Sequence, residues 1–433
     1  MTDAAPPSAG TRRSAMAWAS HPVPLWSAFV LVHFWLGMLG LYGPGLPLGD
    51  VTLIYRYWVQ NGLDAGLWVG IDLDWVYPIL ALVPMLAAHV LGPDLYASTW
   101  LSMVMLVDAV AFAALTGASR DRRLAIAGWW WLGFLLLLGP VALGRIDSIT
   151  VPVAIMGVLA LASAPRLAAV LLTVATWIKV WPAALIAAAV VALRSRWRIA
   201  LAAAIASLAV AVVPIALGAG PRILSFIGQQ TGRGLQVESI VGTFWMWDAF
   251  ASHSTRSLVY YDQAILTFQV IGPGTVAAAG ITTPLLAIAA AALLALGWFA
   301  TRRGVPATEL LPPLMLALTT ALIVFNKVGS PQFVTWLAVP IVLGLVTRLT
   351  GRGRSFRTPA VLALVIAGMT QLIYPYLYDQ LLGLDFTLLL VLSARNVLYI
   401  ALLAWAVVAV VDEIRERGDI AAGRMASSRE TPV

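Results

Sequence analysis

The sequence contains no cysteine, only two lysines and only four histidines. Without thiols, the chain can form neither disulfides nor thiolate metal sites, and the histidines are too scattered to predict a metal site of their own. Charged residues are also few, at 11% of 433 residues, whereas 61% are hydrophobic. A soluble core cannot use that much apolar surface, so the composition predicts a membrane protein.

Long apolar segments recur from one end of the sequence to the other. Because lipid offers no hydrogen-bond partners, a segment that crosses a membrane must satisfy its own backbone groups, as a helix does. The sequence therefore predicts an all-α, polytopic membrane protein with about twelve spans plus external re-entrant or amphipathic helices. The predicted spans are residues 24–44, 94–117, 124–142, 149–163, 167–178, 180–193, 199–218, 274–299, 307–325, 332–348, 358–374 and 386–411.

The basic residues predict the orientation of these spans. Nineteen of the 27 fall at every second boundary, which favours cytoplasmic N- and C-termini. This pattern holds if the apolar segment 77–91, about fifteen residues with two prolines, dips into the outer leaflet without crossing it. The net charge of +7 is then explained by cytoplasmic loops and requires no nucleic-acid partner. The nineteen are Arg12, Arg13, Arg120, Arg122, Arg123, Arg166, Arg194, Arg196, Arg198, Arg302, Arg303, Arg348, Arg352, Arg354, Arg357, Arg415, Arg417, Arg424 and Arg429.

The remaining basic residues lie on the predicted external side or within apolar segments. A charge near bilayer depth costs about 2.5–3.5 kcal/mol, so each needs compensation. We predict one membrane domain, residues 1–411, with external loops 45–93 and 219–273, and a poorly ordered cytoplasmic tail, residues 412–433. The eight residues are Arg56, Arg145, Lys179, Arg222, Arg233, Arg256, Lys327 and Arg395.

Several polar segments on the predicted external side combine acids, cations, amides and aromatics. The first carboxylate, Asp50, follows the first predicted span directly. A carboxylate at that position could take the proton of an attacking hydroxyl, while fixed cations stabilise a departing phosphate. This chemistry suits the transfer of a sugar from a lipid phosphate. Such a donor, a lipid monophosphate, lacks the diphosphate that usually calls for a metal, so we expect no cofactor. The other candidates, for binding substrate or donor phosphate, are Tyr55, Arg56, Asp74, Arg145, Asp147, Lys179, Trp181, Arg233, Glu238, Lys327 and Gln332.

Five short segments, in this order, resemble the GT-C glycosyltransferases: GD at 49–50, GRIDS at 144–148, IKVWP at 178–182, RGLQVES at 233–239 and NKVGSPQF at 326–333. They resemble in particular family 87, the actinobacterial polyprenyl-phosphate-mannose-dependent mannosyltransferases, and they are similar to the eukaryotic mannosyltransferases that add the first mannose to the GPI anchor. The resemblance implies an inverting transfer from a polyprenyl-phosphate donor to a glycolipid or lipoglycan outside the plasma membrane. It also implies that Asp50 is the general base and that external basic residues hold the donor phosphate.

Other interpretations of the same residues remain open. Asp50 could simply cap a helix, and Lys179 could extend to the membrane interface without binding anything. Arg145 could pair with Asp147, and Asp108 with Arg395, to hold helices together. Asp72 with Asp74 could be a metal-binding pair or a solvated loop. The donor sugar could be arabinose, and a lipid-linked sugar transporter is an alternative function, although no inverted repeat is visible.

Overall fold

The computed structural model describes residues 20–117, 122–263 and 265–429, with backbone alone for residues 122, 230, 231 and 420–429. Arg12, Arg13 and Arg120 lie outside the described residues. The α-helices are α1 (Pro22–Tyr42), α2 (Arg56–Ala65), α3 (Leu82–Ala88), α4 (Tyr96–Leu115), α5 (Ala125–Leu138), α6 (Asp147–Ala160), α7 (Pro165–Ile178), α8 (Ala183–Ala192), α9 (Arg196–Ala216), α10 (Ser225–Thr231), α11 (Thr243–Ala251), α12 (Thr275–Arg302), α13 (Ala307–Val324), α14 (Ala338–Leu349), α15 (Arg357–Gln371), α16 (Tyr378–Leu382) and α17 (Phe386–Arg429).

Short helical segments of other types join several of these helices. The π-helical segments are Asp50–Tyr55 and Leu372–Tyr376, and the 3₁₀ segments are Ile79–Ala81, Arg122–Leu124, Gly139–Ala142, Gly220–Leu224 and Pro331–Leu337. Within the described residues, nine helical segments are long and apolar enough to cross a membrane. This confirms the predicted all-α, polytopic membrane protein. The predicted spans 149–163, 167–178 and 180–193 correspond to the shorter helices α6, α7 and α8, and residues 79–88 form a short apolar helix within the predicted dipping segment.

The sequence analysis did not predict a small antiparallel sheet in the loop 219–273. Strands β1 (Leu235–Gln236), β2 (Leu258–Asp262) and β3 (Thr267–Ile271) pair in the order β1-β3-β2. The residues of β2 and β3 are largely aromatic or β-branched, which suits a pleated surface. Runs of two to five residues give too short a pattern to stand out beside the long apolar spans.

The last helix is longer than the predicted span 386–411. Helix α17 continues to Arg429, so the chain stays helical where we expected a poorly ordered tail. Arg354 accounts for the start of this extension, because its guanidinium donates to Ala409 O at 2.7 Å and to Asp412 Oδ2 at 3.3 Å. The long basic side chain thereby fixes the helix beyond the apolar residues.

Contacts between chain segments define two ends of the helical bundle. At the end that we call the arginine end, Arg354 reaches α17, and Thr301 Oγ1 donates to Val191 O at 3.3 Å. The opposite end holds the loops after α1, α5, α7 and α13, together with the small sheet. The side-chain contacts described next join those loops to one another.

Candidate active site

Asp50 lies beyond the loop that follows the first membrane helix and forms an ion pair with Arg145. It is the first residue of the π-helical segment Asp50–Tyr55, and its Oδ2 lies 3.2 Å from Arg145 Nε. Gly144 permits this approach, because a Cβ there would lie 2.8 Å from both Pro47 O and the Leu48 side chain. The glycine of the GRIDS segment thus allows the two loops to pack backbone against backbone.

Arg145 is anchored by several further bonds. Its Nη1 donates to Pro47 O and to Gly144 O, each at 2.8 Å, and its Nη2 donates to the Tyr374 hydroxyl at 2.9 Å. Burial opposes the charge on Arg145, but Asp50 and Tyr374 outweigh it, so the pKa of the guanidinium is raised. The Asp50 side chain remains 36% exposed, against 6% for Arg145. A fixed, buried cation therefore holds a carboxylate that a substrate can reach.

A second ion pair lies at the break between α7 and α8. Lys179 Nζ contacts Asp147 Oδ2 at 2.7 Å, and Trp336 Nε1 donates to Asp147 Oδ1 at 2.6 Å. Both oxygens of the fully buried Asp147 are thus engaged by protein groups. Burial opposes the charge on Lys179, but Asp147 outweighs it, so the pKa of the ammonium is raised. The chain breaks here because Pro182 has no N–H to continue a helix.

Aromatic rings surround the Lys179 ammonium. It lies 5.4 Å from the ring centroids of both Tyr77 and Phe333, which is within cation–π distance. Trp336 stacks on Phe333 at 4.2 Å and on Trp181 at 5.5 Å. The IKVWP and NKVGSPQF segments, far apart in sequence, therefore meet through stacked rings over one cation.

Two tyrosines, the buried Tyr55 and the half-buried Tyr77, connect the two ion pairs. Tyr55 accepts a hydrogen bond from Ile146 N at 3.2 Å, and its ring lies 6.3 Å from that of Tyr77. Burial raises the pKa of both phenols, and the negative charge of Asp50 adds to this effect. Both tyrosines therefore stay neutral and can donate hydrogen bonds.

Arg233 and Lys327 come together in the loops next to this cluster. Gln236 N donates to Lys327 O at 3.0 Å, which joins the loop after α10 to the loop after α13. Gly329 makes the junction possible, since a Cβ there would collide with the backbone of Glu238 and Ser239. Burial, with the charge of Arg233, lowers the pKa of Lys327, and burial also lowers that of Arg233. Arg233 Nε is buried and has no hydrogen-bond partner among the described residues.

Glu238 belongs to a buried polar network with the last helix. Its Oε2 accepts from Arg395 Nη1 at 2.6 Å, and its backbone oxygen accepts from Nη2 at 3.0 Å. Asn396 Nδ2 extends the network to Thr243 Oγ1 at 2.7 Å. Burial raises the pKa of Glu238, although Arg395 acts in the opposite sense. The geometry gives Glu238 a role in holding the loop against α17.

The other predicted site residues are less closely engaged. Gln332 is buried in the 3₁₀ segment beside Phe333, and Arg56 acts electrostatically on Tyr96 rather than on the ion pairs. Asp74 is exposed, whereas Asp72 closes its own loop by accepting from Trp68 N at 2.8 Å. Among the described residues, no group of three or more histidines and carboxylates could hold a metal ion.

Two alternative pairings considered from the sequence are wrong. Arg145 pairs with Asp50 instead of Asp147, because Gly144 brings the loop 47–50 within reach and Lys179 occupies the second carboxylate. Asp108 of α4 pairs with His33 of α1 at 3.0 Å, whereas Arg395 pairs with Glu238.

Sequence reasoning missed Trp336 and Tyr374 as members of the site, and it noted Tyr77 only as part of an external segment, without a role. Trp336 lies close to a segment that was singled out, so extending NKVGSPQF by three residues would have included it. Tyr374 lies 229 residues from Arg145, and nothing in the sequence marks its partner.

One of the comparisons with known proteins found a match. Residues 75–246 match the model of glycosyltransferase family 87, whereas no curated protein and no solved structure matches the chain significantly. The matched residues include Arg145, Asp147, Lys179 and Arg233, whereas Asp50 and Lys327 lie outside them. Residues 75–246 are thus similar to glycosyltransferase family 87, and in a chain with membrane-spanning helices this match supports glycosyltransferase activity.

Proposed function

We propose that the protein transfers a mannosyl residue from a polyprenyl-phosphate donor to a hydroxyl of an extracytoplasmic glycolipid or lipoglycan. The observation that carries this proposal is the pair of Asp50 and Arg145 beyond the end of the first span. Asp50 is the site carboxylate that combines a fixed position with an accessible side chain, since both oxygens of Asp147 are engaged by Lys179 and Trp336.

The proposed reaction is a single displacement. The acceptor oxygen forms a bond to the anomeric carbon while the bond from that carbon to the phosphate oxygen breaks. The acceptor proton passes to Asp50, and the bonding electrons leave with the lipid phosphate. Attack from the side opposite the leaving group inverts the anomeric configuration.

Fixed cations balance the charge that the lipid phosphate gains as it leaves. Burial and, to a smaller extent, the charge of Arg233 lower the pKa of Lys327, so the charges of Arg233 and Lys327 oppose one another. An anion between two such cations relieves their repulsion, and the relief grows as its charge grows. Lys179 contributes from the floor of the site, where Asp147 and the aromatic rings fix its ammonium. The reaction as proposed requires no metal.

The substitution Asp50→Asn tests the base directly, because it keeps the size of the side chain. We expect transfer in proteoliposomes to fall by about 10²–10⁴-fold, the contribution of a general base, while the donor still binds. The matched control is Asp64→Asn, an exposed carboxylate in the same predicted external loop 45–93, which we expect to leave transfer unchanged. Near-normal transfer by the Asp50→Asn protein would refute the assignment.

Offering different donors to the wild-type protein tests the sugar. Polyprenyl-phosphate mannose should be used, and polyprenyl-phosphate arabinose should not. If the protein moved intact donor across the membrane without cleaving it, it would be a transporter, and the proposed function would be wrong.

A further inference from the structure

The arginine end of the bundle contains a cavity that the proposed reaction does not use. It lies between the start of α7 and the start of α9, has a volume of about 540 Å³, and is lined by Ala164, Pro165, Arg166, Leu167 and Arg198. Two guanidinium groups, 32 residues apart in sequence, therefore share one concave space with apolar walls.

These two arginines differ from Arg302, Arg303 and Arg354 at the same end. Arg302 and Arg303 lie over Trp298 and Phe299 of their own helix, at 5.0 and 4.9 Å from the ring centroids, and Arg354 is bonded to α17. Arg166 and Arg198, in contrast, form no hydrogen bond, ion pair or ring contact with any described residue. The general preference for basic residues at a membrane boundary accounts for each arginine singly. It does not explain why two such cations line the same cavity, where their charges repel.

The surroundings of the cavity are those of a lipid headgroup region. Arg166 is the second residue of α7 and Arg198 the third residue of α9, so both lie where helices enter the bilayer. Trp197 beside them is 80% exposed, which is typical of an interfacial anchor. Leu201, Ile205 and Leu208 continue along α9 as an exposed apolar stripe, to which an acyl chain could lie parallel.

We propose that this cavity binds the phosphate of an anionic glycerophospholipid, with the acyl chains along α9. Basic pockets between membrane helices suit anionic headgroups, and each arginine near the membrane surface strengthens such binding about fivefold. The phospholipid would hold α7 and α9 together, and α7 ends at Ile178, directly before Lys179 of the candidate active site. This inference requires the membrane-embedded fold but not the proposed mannosyl transfer.

Native mass spectrometry of the full chain in mixed micelles tests the proposal. The probes are dioleoyl phosphatidylglycerol and dioleoyl phosphatidylcholine, each offered separately, and inorganic phosphate as a competitor. We expect the wild type to retain phosphatidylglycerol in preference. The R166Q/R198Q variant should bind it about 25-fold more weakly, and phosphatidylcholine should bind equally to both proteins.

The matched control is R302Q/R303Q, which removes two charges at the same end but outside the cavity. This variant should keep the preference, as should R166K/R198K, which conserves the charge. The proposal is overturned if the wild type shows no preference for phosphatidylglycerol, or if both glutamine variants lose equal affinity. It is also overturned if millimolar inorganic phosphate displaces the lipid, because the cavity would then be a site for free phosphate. The wild-type measurement stands even if a variant fails to fold.

Discussion

At the level of single residues, the two ion pairs of the site have different tasks. Asp50 keeps an accessible carboxylate beside a heavily anchored arginine, whereas Asp147 is enclosed and holds Lys179 and Trp336. The sequence indicated all four charged residues, since each stands where an apolar segment ends. It could not indicate which carboxylate pairs with which cation, because pairing depends on how closely Gly144 lets two distant loops approach.

Removing one member of the buried pair should destabilise the protein. In Asp147→Ala, Lys179 loses its counter-ion and remains buried, so we expect a loss of about 3–5 kcal/mol in chemical unfolding in mixed micelles. The double variant D147L/K179M removes both charges and should recover most of the stability but not activity. Since the pKa of Lys179 is raised, this stabilisation is complete below pH 10.5 and is lost as the pH rises through the raised value. If Asp147→Ala unfolds like the wild type, the pair contributes little.

The two lysines should lose their protons on opposite sides of the ordinary lysine pKa of 10.5. The pKa of Lys327 is lowered, so its ammonium loses its proton at a pH below the 10.5 of an ordinary lysine, whereas the pKa of Lys179 is raised. If Lys327 holds the donor phosphate, the KM for the donor should rise with pH through that lowered value. Lys327→Arg should move this rise to higher pH, and Lys179→Arg should not. An unchanged profile in Lys327→Arg would exclude Lys327 as the titrating group.

At the level of elements, glycines allow the loops to meet. Gly329 lies against the backbone of residues 238 and 239, and the nearby bond from Gln236 N to Lys327 O positions Arg233 and Lys327 together. The sequence predicted most helices well, because an apolar run of about twenty residues is long enough to span a membrane as a helix, which satisfies its own backbone hydrogen bonds. It did not predict the loops, where short strands and backbone contacts replace periodicity.

Substituting Gly329 should therefore separate Arg233 and Lys327, the proposed phosphate-binding cations, without unfolding the helices. In Gly329→Ala the new methyl group meets backbone, which cannot move aside as a flexible side chain can. We expect donor affinity to fall by about tenfold or more, as for a loss of about 1.4 kcal/mol, with an unchanged helical circular-dichroism spectrum. Gly232→Ala is the control, because a Cβ at Gly232 meets nothing within 4 Å. Equal donor binding by the two variants would contradict this account.

At the level of the whole molecule, the site and the arginine-rich segments lie at opposite ends of one bundle. Of the nineteen basic residues that predicted this arrangement, sixteen fall within the described residues. The predicted orientation tolerates single errors in span boundaries, because insertion depends on charge summed over many loops.

Cysteine labelling can test which end faces outward, because the natural chain has no cysteine to interfere. Thr255→Cys lies in the exposed loop at the site end, and Thr350→Cys lies in the exposed turn at the arginine end. A membrane-impermeant maleimide should label the Thr255→Cys protein in intact cells and the Thr350→Cys protein only after permeabilisation. The reverse pattern would place the site in the cytoplasm.

The shortness of α7 and α8 has a consequence for side reactions. At 14 and 10 residues they are about 21 and 15 Å long, whereas the hydrocarbon core is about 30 Å thick. We therefore expect the Lys179 turn to lie below the level of the headgroups, with the loops above it limiting access of bulk solvent. If the proposed donor binds there, its activated sugar meets few water molecules, so hydrolysis of the donor should be slow when no acceptor is present.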